Sequence, residues 1–192
     1  MFWKENILAV LIGVVCYLAV VPLAKAQPGE PTRLITITDS IGAASYSWNT
    51  QLPEYNVHRL SQGGRTVAGY TLPTDLVNAS GTDIVVYSLG TGDILKQVPI
   101  ANTFTQVLNH LVTLSLSGFD VVLVTPPMYN IPQFDEGNAL VVWLFNNITI
   151  PGVRHCDLGP VWASVETWDG IHPTPSGSQT LAGAIRACVV GE

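Results

Sequence analysis

The chain has 192 residues, eight of them basic and fourteen acidic, with a formal net charge of −6. No run of Lys or Arg is present to neutralise phosphates, which argues against a nucleic-acid partner and against attraction to anionic membrane surfaces. The length suits a single globular domain.

At the N-terminus Lys4 precedes an almost unbroken apolar run from Ile7 to Leu23, and Ala24-Lys25-Ala26 follows. A basic start, an apolar stretch and small residues three and one places before the cut make residues 1–26 a secretory signal peptide, cleaved before Gln27. The alternative is an uncleaved anchor, since about 17 apolar residues is the lower limit for a membrane span. Only then would the chain be held at a membrane. Cys16 lies inside the apolar run and is removed with the peptide. Pro28, Gly29 and Pro31 mark residues 27–32 as a linker. Taking residues 1–26 from the 192 leaves 166, with six basic and thirteen acidic side chains and a net charge of −7. The domain proper is then 33–192, in a secreted or periplasmic protein.

Five strand-like runs follow, separated by longer helical stretches. Leu34 to Thr38 is β-branched and breaks at Asp39-Ser40. Tyr55 to Leu60 leads to the turn Gly63-Gly64. Asp83 to Leu89 ends at Gly90, and Phe119 to Thr125 ends at Pro126-Pro127. A short fifth run lies around Val153 to Cys156. Between the third and fourth, Val98, Phe104, Val107, Leu108, Leu111 and Leu114 recur at helical spacing. Helices are also predicted over 137–148 and 176–190, the latter with Leu181, Ile185 and Val189 on one face. Val/Ile/Leu-rich strands alternating with helices predict an α/β domain with a parallel sheet covered on both faces. Ligands in such sheets bind beyond the carboxyl ends of the strands.

Two cysteines remain after the signal peptide, Cys156 and Cys188. In an oxidising compartment they predict a disulfide tying a late loop to the C-terminal helix, the alternative being two buried thiols. Metal binding by His155-Cys156-Asp157 lacks a second ligand cluster. Asn78-Ala79-Ser80 and Asn147-Ile148-Thr149 fit the glycosylation pattern but carry no weight without a known source.

The chemistry-bearing residues fall at strand ends. Ser40 follows the first strand and enters a helix, whose N-terminal amides would face an oxyanion. His172 can serve as the base that activates it, and Asp169, three residues earlier across a glycine turn, can orient the imidazole. Each part has a plainer reading: Asp39-Ser40 as a helix cap, Asp-x-x-His as a simple turn, the glycine pair as a backbone device. His58 and His110 read as a strand residue and a helix-face residue. Trp162 and Trp168 are open between core packing and stacking on a sugar at the cleft rim.

In this order the motifs resemble the SGNH, or GDSL-type, hydrolase family. The blocks stand as Thr38-Asp39-Ser40-Ile41-Gly42, Ser61-Gln62-Gly63-Gly64-Arg65-Thr66, Gly90-Thr91-Gly92-Asp93 and Asp169-Gly170-Ile171-His172-Pro173, followed by Gly177 and Leu181-Ala182. The likeness runs over about residues 33–190. It implies a three-layer, flavodoxin-like fold with a five-stranded parallel sheet in the order 2-1-3-4-5, and a serine-ester mechanism with no metal or organic cofactor. It assigns catalysis to Ser40, His172 and Asp169. The oxyanion hole falls to the Ser40 amide, a second-block glycine (Gly64, or else Gly63) and the third-block position, Gly92. Two departures stand out. Thr38 replaces the first glycine, beside the reaction, and accommodation is expected. Gly92 replaces an asparagine, and losing one oxyanion donor typically costs ~10²–10³ in rate. Thr91 and Asn130 are candidates to replace it. The expected function is an exported, monomeric serine esterase acting on a small ester or acylated glycan, with a small acyl group such as acetyl. The alternatives are a catalytically impaired module that binds acylated glycans, and an acyltransferase.

Overall fold

The computed structural model describes residues 32–77, 83–126 and 135–191. The expected signal peptide, the linker up to residue 31, the Asn78 sequon, Pro127 and Asn130 lie outside the described residues. Strands β1 (Arg33–Thr38), β2 (Asn56–Ser61), β3 (Ile84–Ser88), β4 (Asp120–Val124) and β5 (Val153–Cys156) form one sheet in the order β2-β1-β3-β4-β5. Every pairing is parallel. The predicted sheet and its order are thus the observed ones, with strand limits moved by a residue or so.

The strands show why the chain folds this way. Side chains alternate between the two faces along each strand. Ile35, Ile37, Val85, Tyr87, Val121 and Leu123 join one core cluster, while Leu34, Val86, Val122 and Val124 join the other. A strand buried on both sides must be apolar at nearly every position. The flanking strand β2, NVHRLS, is mostly exposed or half-buried instead.

Helices complete the two outer layers: α1 (Thr74–Val77), α2 (Thr91–Leu95), α3 (Ile100–Leu116), α4 (Asp135–Asn146), α5 (Gly159–Trp162) and α6 (Pro175–Val190). Helix α3 presents Val107, Leu111 and Leu114 to the first cluster, beside Val141 and Phe145 of α4. Helix α6 presents Leu181, Ala182, Ile185 and Val189 to the second, together with Trp48 and Leu52. Val98 falls outside α3, because Pro99 disfavours helical backbone at the residue before it and caps the helix instead. Helix α4 covers Asp135–Asn146 where 137–148 was expected.

Cys156 and Cys188 form a disulfide with Cα atoms 5.5 Å apart. Cys156 is the last residue of β5 rather than part of a loop, so the bond fastens the sheet's outer strand to α6. Arg154 reinforces it: its guanidinium donates to both Asp120 carboxylate oxygens, at 3.0 and 2.7 Å, and to the carbonyls of Cys188 and Val189 at the end of α6. With Cys156 in the disulfide and His155 bonded to the Ile148 carbonyl, the His155-Cys156-Asp157 run offers no metal site.

Candidate active site

Thr38, Ser61 and Ser88 stand in register at the carboxyl ends of β1, β2 and β3. Residues following those strands therefore gather at one rim. Ser40 was expected to enter a helix, and it opens a three-residue 3-10 turn, Ser40–Gly42. Asp39 caps this turn, its Oδ1 accepting from the Ile41 amide at 3.1 Å. The Thr38 substitution is absorbed on two sides. Its hydroxyl donates to Ser61 Oγ at 2.7 Å. Its side chain also fills the space where Gly42 would carry a Cβ, which would sit 2.1 Å from Thr38 Oγ1.

The turn's far side is held by a polar network under the rim. Arg59 of β2 donates to the carbonyls of Gly42, Ala43 and Ala44 at 2.9, 3.3 and 3.0 Å. Buried Asn49 donates to the Gly42 carbonyl, Thr36 Oγ1 and Ser61 Oγ, and accepts from Ser47 Oγ at 2.7 Å. Sequence reading missed these residues, since Ser47 and Asn49 look like ordinary loop residues.

The segment before α6 supplies the other two groups. Asp169 Oδ1 accepts from the amides of Ile171 and His172 at 3.0 and 2.7 Å, with Gly170 turning the chain at φ +84°. Asp169 Oδ2 lies 2.7 Å from His172 Nδ1, and His172 Nε2 lies 3.1 Å from Ser40 Oγ. Partial burial pushes the Asp169 carboxyl up, but the His172 amide, the His172 ring and the Ile171 amide outweigh it and hold the pKa at about 2. An ionised carboxylate only accepts, so Nδ1–H donates to Asp169 and Nε2 is the ring nitrogen turned to the Ser40 hydroxyl. A hydroxyl within reach of an imidazole that a carboxylate orients is an arrangement able to generate a serine nucleophile.

The segment is clamped at its far end. Thr174 caps α6 by accepting from the Gly177 amide at 3.1 Å, and donates to Glu166 Oε2 at 2.9 Å. Gly177 packs so tightly that a Cβ there would lie 2.1 Å from the Glu166 carbonyl oxygen.

The three expected oxyanion positions differ in what they offer. The backbone amides of Ser40 and Gly64 donate to no acceptor among the described residues. Gly64 turns at φ +67°, and its carbonyl accepts from Lys96 Nζ at 2.6 Å. Gly92 lies in the first turn of α2, and a Cβ there would sit 2.1 Å from the Arg65 carbonyl oxygen. Its amide faces Asp39. Burial pushes the Asp39 carboxyl up to about 6, while the Ile41 amide, the Thr91 hydroxyl and the Gly92 and Thr91 amides pull it back. Asp39 Oδ2 itself has no hydrogen-bond partner among the described residues, so these groups offset its burial only in part. Thr91, a candidate replacement donor, is buried beside the Asp39 carboxyl. Asp93 ties the third block to the residue just after the second and to α3, accepting from the Val67 amide at 2.6 Å and from Thr103 Oγ1 at 3.0 Å.

The remaining candidates separate. Trp162 packs against both core clusters, whereas Trp168 is 67% exposed. His58 lies in β2, exposed, and His110 is buried in α3 with Nδ1 2.8 Å from the Tyr87 hydroxyl. Among the described residues no group of three or more His, Cys, Asp or Glu could hold a metal ion.

The fold, rather than the site, has counterparts among known structures. No family model matches the sequence, and no curated protein matches it. Solved structures do. The sheet order, its helical layers and these likenesses show that the chain has the SGNH-hydrolase fold. A protein of Slackia heliotrinireducens described as a candidate SGNH hydrolase is 14% identical, with a TM-score of 0.69 over 83% of this chain and 100% of that one. A carbohydrate esterase family 3 protein from Talaromyces cellulolyticus is 15% identical, with a TM-score of 0.64 over 83% and 97% of the two chains. An acetylxylan esterase from Geobacillus stearothermophilus is 16% identical, with a TM-score of 0.61 over 82% and 93%.

Proposed function

We propose that this chain is an exported serine ester hydrolase that cleaves small carboxylic esters, in particular short-acyl esters of carbohydrates, through an acyl-enzyme on Ser40. The observation that carries the reading is the hydrogen-bonded row from Asp169 through His172 to Ser40 Oγ, 2.7 and 3.1 Å long, at the carboxyl rim of a parallel sheet. His172 Nε2 takes the Ser40 proton as Oγ attacks the ester carbonyl, and ionised Asp169 stabilises the imidazolium. The Ser40 and Gly64 amides receive the oxyanion. The proton on Nε2 then passes to the departing alkoxide. Water, deprotonated by the same nitrogen, attacks the acyl-enzyme and frees Ser40 and the acid. No step calls for a metal or an organic cofactor. Export fits the Cys156–Cys188 disulfide, which belongs to an oxidising compartment. The acetyl-esterase neighbours support a small acyl group.

The test pairs an organophosphonate probe with p-nitrophenyl acetate turnover. Wild type is expected to be labelled and to hydrolyse the ester, and Ser40→Ala to do neither. Full-rate labelling of Ser40→Ala would remove the mechanism. One observation favours a second reading, a module that binds acylated glycans with little turnover: Gly92 brings no side-chain donor, and its amide faces Asp39. Wild-type turnover no faster than that of Ser40→Ala, with retained glycan binding, would select it.

A further inference from the structure

Trp168 is the most exposed large apolar side chain described, at 67%, and it stands one residue before Asp169. Exposure alone is ordinary for a single apolar side chain, but this indole is held in a fixed place beside His172. It is not a loose side chain. Its backbone amide donates to the His172 carbonyl at 2.8 Å, tying it to the turn that carries the imidazole. Its Nε1–H donates to the Tyr46 hydroxyl at 3.2 Å, across 122 positions of the chain. Tyr46 belongs to the loop that leaves Ser40 and runs into the buried Ser47 and Asn49. The two aromatics thus join the serine loop to the histidine loop on the side where those loops meet.

Building on the esterase reading, we infer that Trp168, braced by Tyr46, is the platform on which the alcohol portion of the substrate stacks, and that this alcohol is a pyranose. The side follows from the chemistry. His172 delivers its proton to the departing oxygen, so the leaving group must lie next to the imidazole, and Trp168 borders that residue. The ligand class follows from what the ring has left to offer. Its only polar atom is engaged by Tyr46, so Trp168 presents an apolar π face with no free donor. A sugar ring offers the matching surface, a flat patch of C–H groups edged by hydroxyls that stay in water. A small aliphatic alcohol is too short to cover the indole.

The experiment compares two acetates on the full-length mature protein, an O-acetylated methyl pyranoside and ethyl acetate. In Trp168→Ala the ratio of kcat/KM for the pyranoside to that for ethyl acetate is expected to fall at least about tenfold, through KM. Tyr46→Phe, which keeps the ring and loses the acceptor, should give a smaller fall in the same ratio. Trp143→Ala, the same truncation at another exposed tryptophan, should leave the ratio alone. An unchanged ratio in Trp168→Ala, or equal losses on both esters, overturns the platform. If wild type hydrolyses neither ester, the esterase reading fails by itself, and calorimetric titration with the same pyranoside decides the platform. Binding weakened about tenfold or more by Trp168→Ala then supports it, and equal binding, or none to wild type, overturns it.

Discussion

At Gly92 the loop after β2 has closed over the place a side chain would occupy, bringing the Arg65 carbonyl within 2.1 Å of an ideal Cβ. Restoring the asparagine amide by Gly92→Asn is therefore expected to fail: kcat/KM on p-nitrophenyl acetate should not exceed wild type, and the melting temperature should drop. A gain in rate with unchanged stability would show that the loop yields freely. Asp39 gives a second prediction. Its carboxyl is raised from 3.8 to about 6 by burial, so the folded state holds its proton more tightly than the unfolded chain. A raised acid is penalised once ionised: its contribution is neutral below the unfolded value and turns against the fold as pH climbs to about 6. Between those pH values wild type should lose on the order of 2–3 kcal/mol relative to Asp39→Asn. Urea unfolding of both proteins at pH 4 and pH 7 measures that difference, and parallel pH profiles would refute it. The Asp169-x-x-His172 spacing was legible because a short turn fixes its own geometry. That Gly92 brings no side-chain donor was visible in the sequence, but the Arg65 carbonyl that fills the space beside it comes from a loop 27 positions earlier and is a long-range contact. Trp162 and Trp168 look alike in sequence and differ only in what the fold places over them.

The element that governs the site is the segment leading into α6. It is pinned at Glu166 by Thr174 and by the close approach of Gly177, and between those points it holds Asp169 and His172. A methyl group at Gly177 cannot fit unless the Glu166 backbone moves. Gly177→Ala should therefore cost at least about tenfold in kcat/KM through displacement of the imidazole, consistent with the ~10²-fold effect of a 1 Å misplacement. Circular dichroism should still report the folded helix content. Full activity with normal stability would mean that the clamp is slack. The serine loop depends on Asn49 in a comparable way. Asn49→Ala leaves the Gly42 carbonyl with Arg59 and Ser47 alone and opens a buried polar hole, at a cost of about 1–3 kcal/mol in denaturant unfolding. The strands and long helices were legible from apolar periodicity, whereas the short 3-10 turn at Ser40 was not. That turn is set by Asp39, Thr38 and the Arg59 carbonyl contacts, none of which leaves a periodic trace.

For the whole molecule, the sheet was legible because its three inner strands, β1, β3 and β4, are buried on both faces and so read as continuous apolar runs. Strand β5 is short and half-buried, and reads weakly for that reason. Its anchor is the Cys156–Cys188 bond, which closes a loop with a sequence separation of 32. By the chain-entropy account, a loop of that length limits the unfolded ensemble by about 3–4 kcal/mol. A Cys156→Ala/Cys188→Ala double variant should lose roughly that much in guanidinium unfolding, and a loss below about 1 kcal/mol would show that the helix docks without the covalent tie.

The two flanking strands also determine how this protein behaves in a crowd. Both lateral edges of the sheet carry arginines already committed to their own molecule: Arg59 in β2 grips the serine loop, and Arg154 in β5 grips Asp120 and the end of α6. A neighbouring chain that tried to extend the sheet would have to desolvate those guanidinium groups or pull them from their partners. Concentrated solutions should therefore resist ribbon-like self-association for as long as the edge residues keep their internal grip.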